Sequence, residues 1–451
     1  MQTSEARHVE RVYGSPETLQ LVADRAADAV DQLKAGDDAA ISNLAVHATS
    51  IGFPTPIKQR LGDPFPYLDA IDIVLVTPRA SDNRAIERLW THVWNAVAPF
   101  NESEMAAILA LCPETLQQDP TSQLDPLSGE TLWIHDHLLL ERVGLVIALE
   151  RNGLDPRTTV VFAKADETLY GRRVHRTLEE RGYKVIDSEM FGLVLAETSD
   201  PTCIIDDGGA LIQHVMERER GSGSTRTMIE TTSKGMRALR LAKYADEVID
   251  LASSSVKLGL SRAIASSFVR QILTSSQHAR VDRTTALVFG FGNLGAHVTE
   301  QLTAIGIRCS VIEPNPKRRA EASAAGYLAA ERATDVGTET FDWMVGCSGT
   351  PSIDQSVLAH LRDGGRLCAV ASNDLTPIFR SFGHVMRDTP YGRVFDHDGA
   401  VVKVLGDGHA LNLFRSEGVP EPDFDRFQSQ IVRTLIAAVS SEASHLLRRV
   451  I

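Results

Sequence analysis

The sequence is poor in cysteine, in positive charge and in long apolar runs, and each shortage disfavours a class of protein. The five cysteines are odd in number and widely spaced, and no pair has metal-ligand spacing, so we expect a reduced, cytoplasmic setting without a metal site. Lys and Arg number 46 against 59 Asp and Glu, and they are dispersed, which disfavours a nucleic-acid partner. No apolar run reaches membrane-spanning length, and the first residues lack the apolar core of an export signal. We therefore expect no membrane partner.

What the sequence has is enough apolar material for large cores, arranged in alternating strand and helix patterns. The 451 residues, 43% of them hydrophobic, favour two or three domains. From Trp133 onward the alternation predicts an open α/β sheet. The pattern predicts strands at residues 71–77, 159–163, 184–186, 203–205, 286–289, 309–312, 343–346, 366–371 and 401–405, and helices at 16–33, 137–152, 170–181, 251–276, 296–305, 317–325 and 424–447.

The strongest local signal is a glycine-rich turn between a buried strand and a helix. Gly290, Gly292 and Gly295 form G-x-G-x-x-G, with Asn293 and Leu294 inside it. In a dinucleotide-binding unit the first glycine permits the tight turn, the second admits a pyrophosphate and the third allows close packing of helix on strand. The helix N-terminus offers N–H groups to the phosphates.

An acidic residue completes this unit. Glu313 ends the second strand, eighteen residues after Gly295, where it is able to accept hydrogen bonds from both hydroxyls of a ribose. Its charge would repel a 2′-phosphate, so the sequence favours NAD over NADP. The alternative is a glycine-rich structural turn with no ligand.

Asp207 lies in the turn that comes just after the predicted strand 203–205. Loops at the carboxyl ends of strands in open α/β sheets carry ligands, so Asp207 is a candidate for chemistry. The alternative is a turn aspartate preceding Gly208.

Six motifs then occur in one order: IIDDGG, ETTSKG, Lys257, the glycine-rich unit, VGCSGT and LGDGH. Their order and spacing resemble the S-adenosylhomocysteine hydrolase (adenosylhomocysteinase) family over about residues 133–412. The resemblance implies an α/β fold in which a Rossmann-type NAD domain is inserted in a larger α/β substrate-binding domain. The expected boundaries are 1–260 for the substrate and catalytic domain, with a divergent first 120 residues, 261–400 for the NAD domain, 401–420 for the return and 421–451 for a C-terminal helix.

The family's reaction explains why an enzyme without net redox chemistry holds NAD. The cofactor oxidises the 3′-hydroxyl of a nucleoside, the ketone acidifies the C4′ proton, and the 5′ substituent leaves by β-elimination. Water then adds, and the ketone is reduced again.

The resemblance implies a role for individual residues. His137, sixteen residues before Gly153, matches the catalytic histidine, and Asp207 its partner in proton transfer. Glu230 and Lys257 match the pair that grips the ribose hydroxyls, and Lys257 would be the base for the 3′-hydroxyl. Taken alone, His137 would suit a core histidine, Glu230 a helix start and Lys257 a surface lysine.

The remaining matches concern substrate and cofactor. Glu141 matches the contact to the adenine amino group, although Leu139 replaces a family threonine, and His409 matches the histidine of the loop that closes over substrate. The cofactor set implied by the resemblance comprises Thr231, Thr232, Ser233, Gly290, Gly292, Asn293, Leu294, Gly295, Glu313, Ser348, Gly349 and Asn412.

The departures concern proton traffic and the leaving group. Ser261 and Arg262 replace a family Asp-Asn pair, and Ser372 replaces a histidine that acts near the 5′ leaving group; we expect all three near substrate. The family's C-terminal Lys…Tyr clamp on a neighbouring subunit's NAD has no counterpart here, so NAD should be held less tightly. The protein is expected to form a homo-oligomer, either a dimer or a tetramer.

Three functions fit these patterns. The first is a nucleoside dehydratase, a lyase that eliminates water from an adenine nucleoside, as in nucleoside-antibiotic biosynthesis. The second is an S-adenosylhomocysteine hydrolase of one-carbon metabolism that forms adenosine and homocysteine. The third is a non-catalytic NAD-binding regulator.

Overall fold

The structure, a computed structural model, describes most of the chain beyond residue 98 and three strands before it. The described residues are 5–13, 45–51, 70–78, 99–117, 125–164, 168, 170–191, 201–218, 225–275, 283–370, 374, 375, 378, 382, 385–389, 391–414 and 421–440. The predicted helix 16–33 and the predicted site residue Ser372 lie outside them.

The chain divides into two compact units. The first comprises residues 1–108, 172–180 and 388–390, and the second comprises 109–171, 181–387 and 391–451. In the first unit, strands β1 (Glu5–Tyr13), β2 (Ala45–Ile51) and β3 (Ala70–Pro78) form an antiparallel sheet with β3 in the centre. The predicted strand 71–77 is confirmed by β3.

The second unit contains two parallel-type sheets. The first sheet consists of β4 (Leu132–Asp136), β5 (Thr159–Ala163), β6 (Lys184–Asp187), β7 (Cys203–Asp206), β8 (Thr227–Glu230) and β9 (Ile249–Asp250). Their spatial order is β6-β5-β4-β7-β8-β9, with every pair parallel. The order reverses between β4 and β7, which makes the gap between them the topological switch point of a doubly wound sheet.

Along the chain, helices alternate with the strands of the first sheet. They are α2 (Arg142–Arg151), α3 (Gly171–Glu180), α4 (Ala210–Arg218), α5 (Ser233–Ala242) and the long α6 (Ser255–Ser275), and α1 (Glu102–Ala110) precedes the first sheet. Most of α1 and of α3 belongs to the first unit. The predicted helix 137–152 is wrong at its start, because residues 137–141 form a loop after β4. The Asp136 carboxylate accepts the His137 N–H at 2.7 Å, and the first helical residue is Arg142.

The second sheet follows α6. It consists of β10 (Thr285–Phe289), β11 (Arg308–Ile312), β12 (Leu328–Ala330), β13 (Phe341–Gly346), β14 (Leu361–Ala369), β15 (Val385–Thr389), β16 (Gly392–His397) and β17 (Ala400–Leu405). The order β12-β11-β10-β13-β14-β17 repeats the doubly wound pattern, and β16 pairs antiparallel with β17. Helices α7 (Asn293–Ala304) and α8 (Pro316–Ala324) follow β10 and β11.

The central strand β10 is buried on both faces, as its uninterrupted apolar run predicts. Leu287 and Phe289 belong to one hydrophobic cluster, and Ala286 and Val288 belong to another. Alternate residues of a strand face opposite sides of a sheet, so both sides of β10 are covered. Helices α6 and α7 contribute to the cluster of Ala286 and Val288, and residues between 333 and 358 contribute to the cluster of Leu287 and Phe289.

The chain returns to the first sheet through helix α9 (Glu421–Ser440). This helix packs on α2, β8 and α6. The Asp425 carboxylate accepts the backbone N–H groups of Glu114 and Thr115, both at 2.8 Å. The fold class is therefore α/β as predicted, and in the chain the Rossmann-type second sheet lies between the first sheet and the helix α9 that packs on it. The boundaries 1–260, 261–400, 401–420 and 421–451 remain predictions.

Candidate functional site

The switch point of the first sheet brings two predicted site residues together. His137 follows β4 and Asp207 follows β7, and these two strands are neighbours. The His137 Nε2 lies 3.7 Å from the Asp207 Oδ1. The two side chains are close because the carboxyl ends of adjacent parallel strands meet at one edge of the sheet.

The two aspartates of the DDGG turn have different surroundings. Asp206 is fully buried and contacts the His135 Nδ1 at 2.7 Å, and it also accepts the Ile212 N–H at 2.9 Å. Asp207 faces the opposite way, toward His137. Asp206 thus fixes the turn and helix α4, and Asp207 is the carboxylate presented to the site.

Lys164 joins this pair, and the sequence did not predict it. It follows β5, the other neighbour of β4, and its ammonium group donates a hydrogen bond to the Asp207 carboxylate. Its Nζ also lies 3.4 Å from the His137 Nε2. No motif of the resemblance contains this lysine. The feature of the sequence that could have indicated Lys164 as a site residue was its position directly after a buried strand.

The positive charges around Asp207 determine its ionisation. Burial raises the pKa of this carboxyl, but the charges of Lys164, His137 and Lys257 outweigh burial and hold the pKa well below its ordinary value. The Thr231 hydroxyl lies 3.3 Å from the Asp207 Oδ2. Asp207 is therefore a carboxylate at neutral pH.

Glu230, at the end of β8, has a raised pKa, in contrast to the lowered pKa of Asp207. Its Oε1 accepts hydrogen bonds from the Gly208 N–H at 3.1 Å, the Thr232 N–H at 2.7 Å and the Thr232 hydroxyl at 2.6 Å. Burial, with the charges of Asp206 and Asp207, raises the pKa of Glu230 well above its ordinary value. The buried Oε2 has no hydrogen-bond partner among the described residues. A protonated Glu230 would have an O–H to donate there.

Lys257 reaches the same region from α6. Burial lowers the pKa of Lys257 and outweighs the opposing charge of Asp207. Its Nζ lies 4.4 Å from the centre of the Phe427 ring, on α9. An amine with a lowered pKa is a competent base near neutral pH.

A second ion pair, also absent from the prediction, supports the loop that carries His137. Arg142 pairs with the buried Asp136, its guanidinium carbon lies 4.8 Å from the centre of the Phe424 ring, and its Nη1 lies 3.4 Å from the Gln428 Oε1. Helix α9 therefore supports the residues that precede and follow His137.

The residues predicted to bind substrate are placed in different ways. Glu141 is buried at the start of α2. His409 is half-buried after β17, and its backbone N–H donates to the Gly406 carbonyl at 2.7 Å. Ser261 lies 2.7 Å from the Asn293 Nδ2, whereas the exposed Arg262 pairs with Glu300 at 3.4 Å on α7. Ser261 thus belongs with the glycine-rich loop, and Arg262 is directed toward solvent.

Asn293 links the glycine-rich loop to helix α6, which carries Lys257. Besides Ser261, its Nδ2 donates to the Leu258 carbonyl at 3.0 Å. Lys257 and Ser261 are four residues apart on α6 and so lie on one face of this helix. Lys257, near Asp207, is therefore one helical turn from a residue that contacts the glycine-rich loop.

The glycine-rich loop has the shape of a phosphate cradle. Gly290 has φ +100°, and a Cβ there would lie 3.0 Å from the Ser348 Cα; a Cβ at Gly295 would lie 2.1 Å from the Gly290 oxygen. Gly292, the N-cap residue of α7, has no side chain to cap the helix. The uncapped helix N-terminus fits the diphosphate of a dinucleotide. The Arg318 Nη1 lies 3.2 Å from the place of a Cβ on Gly292 and adds a positive charge to the cradle.

Glu313 lies beside this loop, as predicted from its spacing. Its Oε2 accepts the Phe291 N–H at 2.7 Å, and its Oε1 accepts the Asn315 N–H at 2.8 Å. Each carboxylate oxygen has a second lone pair, so Glu313 is still able to accept from two ribose hydroxyls.

The turn after β13 supplies the other side of the candidate cofactor site. The buried carboxylate of Asp374 accepts the N–H groups of Ser348 at 3.1 Å and Gly349 at 3.0 Å. Asn412 is buried and lies two residues after Ala410, which forms a parallel β-bridge with Ala369. The Asn412 Oδ1 has no hydrogen-bond partner in the described part of the chain. Such an orphaned amide oxygen fits an amide donor of a ligand.

The predicted residues after β8 make internal contacts. The Thr231 hydroxyl points to the Asp206 carbonyl and Asp207, and the Thr232 hydroxyl accepts the Gly235 N–H at 3.0 Å as the cap of α5. Ser233 is exposed at the start of that helix.

Comparison with known proteins supports a distant relationship. No family model matches the chain. It is similar to the adenosylhomocysteinase of Sulfolobus acidocaldarius, with 23% identity over 239 residues, or 50% of this chain and 56% of that protein. It also resembles the adenosylhomocysteinase of Saccharolobus solfataricus, with 23% identity over 326 residues, or 66% of this chain and 75% of that protein. The first match thus spans little more than half the length of the relative.

Among solved structures, the matches are distant. The dipicolinate synthase A chain of Bacillus subtilis is 13% identical, with a TM-score of 0.37 over 70% of this chain and 98% of that one. The transhydrogenase of Sinorhizobium meliloti is 12% identical, with a TM-score of 0.34 over 65% and 88%. At such scores the likeness carries no argument about function.

The structure adds one observation about membranes. Within the described ranges, no helix is both long and apolar enough to span a bilayer.

Proposed function

We propose that this protein is an NAD-dependent enzyme that processes adenine nucleosides by transient 3′-oxidation and elimination of water from C4′ and C5′. The observation that carries the proposal is the position of Lys257. Burial lowers the pKa of this amine, whose charge interacts with that of Asp207, and one helical turn away Ser261 contacts Asn293 of the glycine-rich loop. These contacts support a role for Lys257 as a base between the carboxylate–histidine cluster and the candidate dinucleotide site.

The residues that would hold NAD are those of the cradle. Gly290, Gly292 and Gly295 with the N-terminus of α7 fit the diphosphate, Glu313 fits the adenosine ribose, and Asn412 offers an unpartnered oxygen. When bound, NAD supplies hydride transfer at C3′ of the substrate.

The chain's own residues divide the remaining work. Neutral Lys257 accepts the proton of the 3′-hydroxyl, and protonated Glu230 donates a hydrogen bond from its unpartnered Oε2 to a ribose oxygen. His137 removes the C4′ proton once the neighbouring carbon is a ketone. The carboxylate of Asp207 stabilises the charged imidazole that results. Glu141 contacts the adenine amino group.

The alternative function is hydrolysis of S-adenosylhomocysteine to adenosine and homocysteine. It is favoured by the similarity to two archaeal adenosylhomocysteinases. The dehydratase is preferred because the positions implied for the 3′-oxidation, Glu230 and Lys257, are kept, whereas Ser372 replaces the family histidine that acts near the 5′ leaving group. Oligomeric state stays a prediction of a dimer or a tetramer.

The test is incubation of the NAD-loaded protein with adenosine, a ketohexose adenine nucleoside and S-adenosylhomocysteine, followed by NADH absorbance and mass spectrometry. A nucleoside lighter by one water supports the dehydratase. Release of homocysteine without dehydration contradicts it in favour of the alternative. Absence of NADH with every nucleoside contradicts both and favours a binding role.

A further inference from the structure

Lys164 contacts the two residues to which the proposed function gives the proton transfer at C4′. It follows β5, donates to Asp207 and lies 3.4 Å from the His137 Nε2, so it touches both members of the predicted proton-transfer pair. We propose that Lys164 is the acid that protonates the 5′-oxygen as it leaves, and that His137 returns the proton to Lys164. This proposal rests on the proposed function and assigns a role to a residue outside its motifs.

Asp207 is unsuited to be that acid. It is held as a carboxylate by its contact with Lys164, and an ionised carboxylate is an acceptor only. The groups that face it come from every surrounding element. They are His137 after β4, Lys164 after β5, Glu230 and Thr231 at the end of β8, Lys234 on α5 and Lys257 on α6. Among them, Lys164 donates a hydrogen bond to the Asp207 carboxylate.

The step balances without an outside reactant. The C4′–H bond breaks and its proton goes to the His137 ring, and the electron pair forms the C4′–C5′ double bond. The C5′–O bond breaks, the oxygen takes a proton from the Lys164 ammonium and leaves as water. The imidazolium of His137 then gives its proton to the neutral Lys164 amine, a favourable transfer because a lysine amine is ordinarily the stronger base.

The chemistry of the leaving group gives Lys164 a reason to be present. Hydroxide is the conjugate base of water, which is a far weaker acid than an alkyl thiol; the thiol has a pKa of about 8.5, as cysteine does. A thiolate departs without a strong acid, and hydroxide does not. A lysine at this place therefore suits elimination of water more than elimination of homocysteine.

The experiment uses the NAD-loaded full chain with adenosine in deuterated water and compares Lys164→Arg and Lys164→Met with wild type. Arg keeps the positive charge beside Asp207 but does not release a proton. Three quantities are followed: NADH absorbance, deuterium at C4′ of the recovered adenosine, and the dehydrated product. Lys184→Arg, an exposed lysine on β6, is the matched control.

We expect Lys164→Arg to form NADH and to exchange the C4′ hydrogen, while its dehydration rate falls by about 100-fold or more, the usual size of a general-acid contribution. Lys164→Met should lose dehydration as well. Dehydration by Lys164→Arg at the wild-type rate would overturn the assignment, and so would loss of NADH formation or of C4′ exchange. A wild-type protein that forms no NADH with adenosine would instead overturn the proposed function itself.

Discussion

The ammonium nitrogen of Lys257 lies 4.4 Å from the centre of the Phe427 ring. Lys257 belongs to the helix that leads into the second sheet, and Phe427 belongs to the helix that returns from it. The ring face favours the charged form of the lysine, whereas burial favours the neutral form. The C-terminal helix therefore helps to set the basicity of the amine proposed to deprotonate the substrate.

Substitution of Phe427 by Leu should make Lys257 titrate at a lower pH. A cation–π contact is worth about 0.5–1 kcal/mol and raises the pKa of the cation, so its loss should lower the midpoint of the pH–rate profile of NADH formation by about 0.5 unit. The profile is recorded with adenosine. Phe424→Leu is the matched control, because Phe424 lies on the same helix but contacts Arg142. An unchanged or raised midpoint in Phe427→Leu alone would remove this role.

Lys257→Ala should abolish NADH formation while NAD remains bound. The amine accepts the 3′-hydroxyl proton in the proposed reaction, whereas the residues of the cradle lie elsewhere on the chain. NAD binding is measured by titration calorimetry, and NADH by absorbance after addition of adenosine. Turnover equal to wild type would place Lys257 outside the site.

Gly292→Ala should weaken NAD binding without unfolding the chain. Gly292 has an ordinary φ of −71°, and a Cβ there would meet only the flexible end of Arg318 at 3.2 Å. The added methyl group would nevertheless occupy the cradle at the start of α7. We expect affinity for NAD to fall by about tenfold or more, equivalent to about 1.4 kcal/mol.

Gly259→Ala on α6 provides the control for that measurement. A Cβ at Gly259 would meet nothing within 4 Å. This variant should bind NAD like wild type and gain about 0.5–1 kcal/mol in the free energy of unfolding, since alanine favours a helix over glycine. Equal NAD affinity in the two variants would contradict the placement of the diphosphate at Gly292.

Glu230→Gln should change how stability depends on pH. The raised pKa of Glu230 means that the folded state keeps a proton that the unfolded state loses above the ordinary glutamate pKa. Stability from this group is therefore complete below that ordinary value and declines as pH rises toward the folded value. Glutamine has no proton to lose, so the variant should gain stability relative to wild type between pH 5 and pH 8 in denaturant titrations. A constant difference across this range would show that Glu230 is not held protonated.

The sequence predicted the elements whose patterns are local. The strand–turn–helix unit from β10 to Glu313 follows from an apolar run, three glycines and a spaced acid, and the structure has these elements within three residues of their predicted ends. The strand β4 was missed because its charged end and the apolar residues 138–140 continue a helical pattern into α2. Its extended form is set by pairing with β5 and β7, which no local pattern contains.

The site was predictable only where a motif carried it. His137 and Asp207 come together as their motifs implied, whereas Lys164 and Arg142 join them through the order of strands and the packing of α9. Ser261 and Arg262 are neighbours in sequence, but one contacts Asn293 and the other pairs with Glu300. Adjacent residues of a helix face different directions, so a prediction that treated the two positions as one pair missed their different surroundings.

Transient oxidation at C3′ is the step on which the proposed loss of water depends. Adenosine carrying deuterium at C3′ tests it when the absorbance of bound NADH and the mass of the product are followed in one reaction of the NAD-loaded protein. We predict that NADH absorbance rises more slowly than with undeuterated adenosine and then falls. The product should be lighter by one water and keep its deuterium, because the hydride removed from C3′ returns to the same carbon. Dehydration without any rise in NADH absorbance, a dehydrated product without deuterium, or a stable ketone with free deuterated NADH would contradict it.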